Sequence, residues 1–297
     1  MMANRLKSYG FWSLLLGLLL AGSACEKKMS VPAYIHVDSA SLVTNYAAQG
    51  SASSNITDVW VTVDGKNIGV YELPATIPVL ASGDVKVQLQ AGIKKNGIAS
   101  LRPIYPFYTS YICYPQLERR RCDTLRPSFS YHTTVSFDFK ENFEDAGVKF
   151  TAVDSSKGMS KSGDKRDLLV IAGEENYNHY AGMITLGPGE NYFEVETNSL
   201  LERHRTYTFM ELDYCMSENM EVGIYYQLNG HNIQSPICGV YRTGKPNERN
   251  WRKIYINLTE AVNGNSLVSK YKVYFKAVKS VSDSAVFLFD NIKIVNM

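Results

Sequence analysis

Short runs of alternating apolar and polar residues fill the first half of the chain. In "AYIHVDSA", Ile35 and Val37 fall on one face of an extended strand, while Tyr34 and His36 fall on the other. Alternation of this kind is typical of an antiparallel strand that is buried on one side. The same pattern, interrupted by turn residues, predicts further strands at 58–63, 68–71, 76–80 and 85–89.

The sharpest local signal is Asp64-Gly65, which stands between two alternating runs. This dipeptide favours a hairpin, because type I′ turns need positive φ at both central residues. With Gly69 and Pro74 it completes a "vDGxxxGxxxxP" pattern followed by a "G-x-v-x-v" strand, which resembles small Ig-like or PEGA-like β-sandwich modules over residues 59–97. The resemblance implies a spacer or protein-binding scaffold, in which these four residues shape turns.

Two segments mark the second half. "VSFDFKENFEDAGVKFTAVD" opens it and "SAVFLFDNIKIVNM" closes it. The pair resembles the first and last strands of jelly-roll modules of the galactose-binding-like or carbohydrate-binding-like kind. Between them the pattern predicts strands at 194–196, 205–214, 221–228, 251–257 and 270–277, and a short helix or turn at 257–264. We therefore predict an all-β fold of two antiparallel β-sandwich domains, an Ig-like or PEGA-like domain at 32–131 and a jelly roll at 132–297.

Residues 11–21 form an unbroken apolar run preceded by Arg5 and Lys7. The run is about half of the roughly 20 residues that a transmembrane helix needs, so it is typical of a signal peptide. Small residues then lead into Cys25. This arrangement resembles the lipobox of bacterial lipoproteins, in which the cysteine is acylated, with palmitate expected, and becomes the mature N-terminus. The resemblance implies a signal peptide at 1–24 and a lipidated linker at 25–31; the alternative is a plain secretory signal that leaves Cys25 as a thiol.

Glu26, the residue after Cys25, indicates which membrane would hold the lipoprotein. Glu26 stands where enterobacterial lipoproteins of the inner membrane carry Asp, so we expect the outer membrane. Surface-exposed lipoproteins of Bacteroidota resemble one another in an acidic stretch at this point, but here Lys27 and Lys28 follow. The sequence therefore leaves both the periplasmic and the surface face open.

The balance of basic and acidic residues argues against a nucleic acid as the partner. The chain has 31 basic and 29 acidic residues, and loss of Arg5 and Lys7 with the signal peptide leaves a formally neutral protein. A neutral chain with interspersed charges has no basic footprint for a nucleic acid. The 20 tyrosines agree with a β-rich fold.

Four cysteines remain besides Cys25. An oxidising compartment favours pairing, and proximity in the sequence favours Cys113 with Cys122 and Cys215 with Cys238. Four reduced, partly buried thiols are the alternative. No CxxC pair or nearby histidine pair offers the ligand spacing of a zinc site.

A dense aromatic segment surrounds several prolines at the end of the first half. Its members, the candidate binding residues of this half, are Tyr105, Phe107, Tyr108, Tyr111 and Tyr114. Exposed, they would stack on sugar rings or accept the apolar ridge of a partner protein. The alternative is that they fill the sandwich core or the junction between the two domains, as aromatic residues at strand spacing usually do.

The second half offers aromatic residues near amide groups, which is the chemistry of a carbohydrate site; alternatively they belong to the core. They are Tyr177, Tyr180, Tyr225, Tyr226, Asn229 and Trp251. The chain has neither a G-x-S-x-G nucleophile elbow nor an H-E-x-x-H zinc helix. Asp290 with nearby acidic residues could hold calcium, but a local strand cap is the simpler interpretation. We therefore predict no catalytic residue, no metal and no cofactor.

These observations lead to two hypotheses. The first is a non-enzymatic lipoprotein that is held to the outer-membrane leaflet by lipidated Cys25. It would serve as a structural or partner-binding subunit of an envelope complex for β-barrel assembly, secretion or uptake, with a membrane protein as its partner. The alternative is a glycan-binding lipoprotein that uses the jelly roll. A carbohydrate-active enzyme is a third, weaker hypothesis.

Overall fold

A computed structural model describes residues 31–204, 206–264, 266–280 and 283–297. The predicted signal peptide and Cys25 lie outside these residues, so lipidation stays a prediction. Within the described ranges, no helix is both long enough and apolar enough to cross a membrane.

The first half of the chain forms eleven strands and one short helix. Their bounds are β1 Ala33–Val37, β2 Ser41–Val43, α1 Tyr46–Gln49, β3 Asp58–Val63, β4 Lys66–Glu72, β5 Ala75–Val79, β6 Gly83–Asp84, β7 Val87–Gly92, β8 Tyr111–Cys113, β9 Gln116–Leu117, β10 Cys122–Leu125 and β11 Ser128–Ser130. A four-stranded sheet, β4-β3-β7-β8, and a three-stranded sheet, β10-β1-β5, supply the inward side chains of one core. The short pairs β11-β2 and β6-β9 complete this unit.

The hairpin predicted at Asp64-Gly65 is present. The two residues have φ of 47° and 78°, and Val63 pairs with Lys66 across the turn. Most pairs in this unit are antiparallel, but β1 pairs with β10, and β2 with β11, in parallel. Parallel pairs need long crossover connections, so the first unit closes through residues that are far apart in the sequence.

The second half forms twelve strands and one helix within the described residues. Their bounds are β12 Ser136–Glu141, β13 Phe150–Ala152, β14 Ser160–Ser162, β15 Ala181–Leu186, β16 Tyr192–Thr197, β17 Leu201–Glu202, β18 Thr208–Met216, β19 Met220–Leu228, β20 His231–Val240, β21 Arg252–Asn257, α2 Thr259–Asn263, β22 Lys270–Val278 and β23 Ala285–Asn296. One six-stranded sheet has the order β14-β15-β23-β18-β21, with β12 also paired to β23. The other has the order β13-β16-β22-β19-β20, with β17 also paired to β22. The all-β class with two sandwiches is thereby confirmed, while the Ig-like character of the first unit stays a prediction.

The two units share an interface that leaves the second sandwich with one open sheet face. All nine residues of β18 are buried, so this strand is covered on both faces. Met210 and Leu212 lie in the core of the second sandwich, whereas Phe209, Tyr255 and Val295 belong to the core of the first. The first unit therefore covers the outer side of the β14–β21 sheet. A domain boundary between residues 131 and 132 stays a prediction.

The predicted disulfides are not formed, because all four described cysteines are free. Cys113 lies in β8 and Cys122 in β10, which belong to different sheets of the first unit. Cys238 packs against the core of the second sandwich from β20. Cys215 lies in β18 of the opposite sheet, where its Sγ is 3.6 Å from the carbonyl oxygen of Glu248. The two cysteines of each predicted pair are close in the sequence but lie in different sheets.

Candidate functional site

The outer side of the sheet β13-β16-β22-β19-β20 carries a continuous set of polar and aromatic side chains. Strand alternation explains it: Phe193, Val195, Val273 and Phe275 point into the core, and their neighbours point outward. We call these neighbours, together with Gln234 of β20, the tyrosine–glutamate face. Its members are Tyr192, Glu194, Glu196, Glu221, Tyr225, Gln234, Lys272, Tyr274 and Lys276.

Glu194 is the centre of this face. Although it is only 6% exposed, its carboxylate accepts hydrogen bonds from the hydroxyls of Tyr192 and Tyr225. The side-chain amide of Gln234 donates to the same carboxylate at 3.0 Å and to the Tyr225 hydroxyl at 2.7 Å. Strands β16, β19 and β20 are thus joined by one side-chain network, which fixes the positions of two tyrosine rings.

A third tyrosine, Tyr274, packs against Tyr225. The rings of Tyr225 and Tyr274 have centroids 4.8 Å apart, and the Tyr274 hydroxyl donates to Glu221 at 2.7 Å. Tyr274 can lie across the sheet because residue 223 is glycine: a Cβ there would come within 2.5 Å of the ring. Burial and the hydrogen bond to Glu194 raise the pKa of Tyr225 well above its usual range, so its hydroxyl stays protonated.

The remaining charges on the face are paired or in register with one another. Lys272 donates to Glu196 at 2.5 Å, and Lys276 lies opposite both Glu194 and Glu221 in the strand register. Such a surface offers hydrogen-bond donors and acceptors at fixed positions between aromatic rings. Tyr192, at 38% exposure, is the most open of these rings.

An open cleft of about 490 Å³ adjoins the face at Tyr192 and Glu194. Its other wall is the loop after β13, where the Ser156 hydroxyl donates to the backbone carbonyl of Glu194 at 2.5 Å. An ion pair between Lys157 and Glu190, 2.8 Å apart, lies among its lining residues. The face and the cleft together form one continuous polar and aromatic surface.

Comparison with known proteins gives no family: no protein-family model and no curated protein sequence matches the chain. Among solved structures, it is similar to carbohydrate-binding modules of a β-sandwich superfamily, at 12% identity and a TM-score of 0.35 over 80% of this chain and 84% of that one. A family 11 carbohydrate-binding module from Clostridium thermocellum, in complex with a β-1,3-1,4-mixed-linked tetrasaccharide, matches at 13% identity, with a TM-score of 0.33, over 52% and 92% of the two chains.

A third match is to the N-terminal CBM22-1 and GH10 modules of a Clostridium thermocellum endo-1,4-β-D-xylanase complexed with xylohexaose. Its identity is 9% and its TM-score 0.37, and the chain spans 28% of the xylanase structure and 54% of its own length.

The aromatic segment predicted as a binding surface is mostly internal. Tyr105 and Phe107 are fully buried and Tyr108 is 5% exposed, and all three belong to the core of the first unit. Tyr111 packs partly against the same core, while Tyr114 is 69% exposed. The alternative, that these aromatics fill the core and the junction, is thus correct for the first three, and the five do not form an exposed platform.

The aromatic candidates of the second half are dispersed. Tyr225 lies on the tyrosine–glutamate face, and Tyr226, its neighbour, packs partly against the core. Tyr177 stacks on Tyr46 with centroids 4.4 Å apart, and Trp251 lines a cavity between the two units. The sequence analysis did not single out Glu194. The alternation in "EVE" of β16 could have indicated it, because it places the carboxylates of Glu194 and Glu196 on one side of the strand.

Asp290 is held by local hydrogen bonds. Its carboxylate accepts from the backbone N–H of Asn291 at 2.7 Å and from the side-chain amide of Asn178 at 3.2 Å. Burial, with the nearby charge of Asp213, raises its pKa well above the usual range. In the part of the chain that the structure describes, no group of three metal-binding side chains occurs.

Proposed function

We propose that this protein binds glycan chains through the tyrosine–glutamate face. The observation that carries the proposal is the network in which Tyr192, Tyr225 and Gln234 converge on Glu194. Sugar hydroxyls both donate and accept hydrogen bonds, while the C–H faces of sugar rings pack on aromatic rings. A surface whose polar groups are already held in place loses little conformational entropy when a ligand arrives.

We propose binding and not hydrolysis, because each carboxylate of the face already has a partner. A glycosidase needs two carboxyl groups on either side of the scissile bond, one to donate a proton and one to act as nucleophile or base. Here Glu194 accepts from two tyrosines, Glu196 from Lys272 and Glu221 from Tyr274. Their hydrogen bonds favour a fixed recognition surface.

Burial of the aromatic segment also bears on the choice between the two hypotheses. The partner-binding hypothesis would use this segment as a docking surface, whereas the glycan-binding hypothesis uses the jelly roll. Tyr105, Phe107 and Tyr108 are internal, so the partner-binding hypothesis loses that surface. We therefore favour glycan binding, and we further propose that lipidation of Cys25 would hold the face near the outer membrane. Either face of that membrane is compatible with this proposal.

The test is a glycan array probed with the full chain, followed by calorimetry with the oligosaccharide that binds best. Tyr225→Ala and Gln234→Ala each remove a partner of Glu194, and we expect each to weaken binding about tenfold or more. Tyr114→Ala is the matched control, because it removes an exposed tyrosine from the first unit. Retention of full affinity by both face variants, or absence of binding to any glycan, would contradict the proposal.

A further inference from the structure

The end of the first unit where the chain enters from residue 31 lies away from the second unit. Strand β1 begins at Ala33, which pairs with Val79, the last residue of β5, and β10 begins beside it at Cys122. The second unit docks at the other end of these strands, where the backbone N–H of Asn96, in the loop after β7, donates to the carbonyl oxygen of Tyr255 at 2.8 Å. The first unit therefore lies between the entering chain and the second sandwich.

The entry end, as we call it, consists of residues that lie between or at the ends of these strands: 32, 64–66, 80–86 and 114–121. A tight turn closes its last segment, because the N–H of Arg121 donates to the carbonyl oxygen of Glu118 at 3.1 Å. The N–H of Arg120 donates to the carbonyl oxygen of Pro32 at 2.9 Å. The turn is thus fixed beside the entering chain, with Arg119, Arg120 and Arg121 all exposed.

Positive charge predominates at the entry end. Its cations outnumber its carboxylates by five to three, and they are Lys66, Lys86, Arg119, Arg120 and Arg121 against Asp64, Asp84 and Glu118. Arg121 Nε lies 3.1 Å from Glu118 Oε2, but both side chains are more than half exposed, so the pair is weak. Within the described residues, neither Arg119 nor Arg120 forms an ion pair. Two guanidinium groups are therefore available to an anion outside the chain.

Arg120 occupies a backbone position that favours glycine. Its φ is 67°, and the third residue of a turn with positive φ is usually Gly or Asn, because a larger side chain is disfavoured there. An arginine at this position lowers stability relative to glycine. Its exposed guanidinium forms no hydrogen bond or ion pair with the described residues that would offset this cost. We therefore expect the side chain to act on a partner.

Two exposed side chains indicate what kind of anionic partner fits the entry end. Leu80, which follows β5 next to Pro32, is 72% exposed, and Tyr114, which follows β8, is 69% exposed. Apolar side chains next to arginines are typical of a surface that lies on a membrane, because the apolar groups enter the acyl boundary while guanidinium groups bind headgroup phosphates. Tyrosine is likewise enriched at the interface between membrane and water.

We propose that the entry end binds the phosphate headgroups of an anionic membrane leaflet. The orientation of the protein on that leaflet rests on the proposed lipidation of Cys25. Pro32 follows Cys25 by seven residues, which span at most about 25 Å, so a lipid on Cys25 would keep the arginines within reach of the headgroups. The second sandwich docks at the opposite end of the first unit, so its tyrosine–glutamate face would then point away from the membrane.

The experiment is co-sedimentation of the mature chain, residues 25–297, with lipid vesicles. The chain is used without acyl groups, so that only the protein surface can hold it to the vesicle. We expect saturable binding to vesicles of phosphatidylethanolamine and phosphatidylglycerol, about tenfold or more tighter than to vesicles of phosphatidylcholine. Salt at about 0.5 M should remove most of this binding, because it screens the exposed charges.

Variants of the turn test the contact directly. Arg119→Gln and Arg120→Gly should each weaken binding to anionic vesicles about fivefold, and together about twenty-fivefold. Glycine also suits the positive φ at position 120, so loss of binding in Arg120→Gly reports on the charge and not on folding. Leu80→Ser should weaken binding about fivefold as well. The control, Arg126→Gln with Arg242→Gln, removes two exposed arginines outside the entry end and should bind like the unmodified chain.

Several results would overturn the proposal. Absence of binding to anionic vesicles, or equal binding to phosphatidylcholine, would show that an anionic leaflet is not the partner. Full binding by the double variant of Arg119 and Arg120 would place the membrane contact elsewhere. Tighter binding of polygalacturonate than of anionic vesicles, at equal concentrations of negative charge, would assign the arginines to an acidic glycan. Each of these results is separate from glycan binding at the tyrosine–glutamate face, because the vesicles carry no glycan.

Discussion

Lys293 is a cation buried between the two units, and its charge should make the stability of the protein depend on pH. Its ammonium donates to the backbone carbonyl of Ser51 at 2.7 Å and to the hydroxyl of Tyr131 at 3.4 Å. Glu211 lies nearby and accepts hydrogen bonds from Tyr131 at 2.7 Å and from Tyr105 at 2.9 Å. The side chain is 2% exposed, so it has almost no contact with water.

Burial lowers the pKa of Lys293 to about 8 from an ordinary value of 10.5, although Glu211 acts in the opposite direction. Between these two values the unfolded chain holds a proton on Lys293 that the folded chain has lost. Stability therefore rises with pH in this window, by about 1 kcal/mol per pH unit. The full span corresponds to about 3 kcal/mol, and the cost of the buried charge is fully present below pH 8.

Urea unfolding at several pH values from 7.5 to about 9.5 measures this effect. The upper limit keeps the pH below the ordinary pKa of tyrosine, which is about 10. As the pH increases, the free energy of unfolding of the unmodified chain should rise relative to that of Lys293→Met, because the variant has no titratable group at position 293. Lys270→Met, at a half-exposed lysine paired with Glu202, is the control and should follow the unmodified chain. Parallel curves for the unmodified chain and Lys293→Met would refute the reasoning.

Two further predictions concern packing and redox state. Gly223→Ala should lower the free energy of unfolding by about 1–3 kcal/mol and weaken glycan binding. The reason is that the new Cβ would lie 2.5 Å from the Tyr274 ring and from the backbone oxygen of Ser235. An unchanged urea midpoint and an unchanged affinity would contradict this prediction. Because the four described cysteines are free, dithiothreitol should leave the melting temperature unchanged, and a drop of several degrees on reduction would show that a disulfide forms after all.

Local patterns predicted the strands better than they predicted which strands pair. The run at Asp58–Val63 and its Asp64-Gly65 turn were predictable, because a hairpin is specified by residues next to each other. The parallel pairing of β1 with β10 was not, since Tyr34 and Cys122 carry no local signal of their contact. The disulfide prediction failed for the same reason: sheet order, and not distance along the chain, decides which cysteines meet.

The candidate site was predictable only in part. Tyr225 was recognised as an aromatic next to polar residues, but its partner Glu194 lies on another strand, and only the sheet order brings them together. The burial of Tyr105 could not be told from the sequence, because an alternating aromatic run fits an exposed surface and a domain junction equally well. The Tyr105 hydroxyl donates a hydrogen bond to Glu211, a buried carboxylate of the second unit.

The position of β23 in its sheet has a consequence for the timing of folding. This strand pairs with β12, β15 and β18, and Ser136 of β12 meets Asn296 of β23. At a synthesis rate of about 5–20 residues per second, a ribosome needs roughly seven to thirty seconds to reach β23 after β12 has been made. During that interval β12, β15 and β18 lack the strand that joins them, so this sheet cannot be completed until β23 has been synthesised.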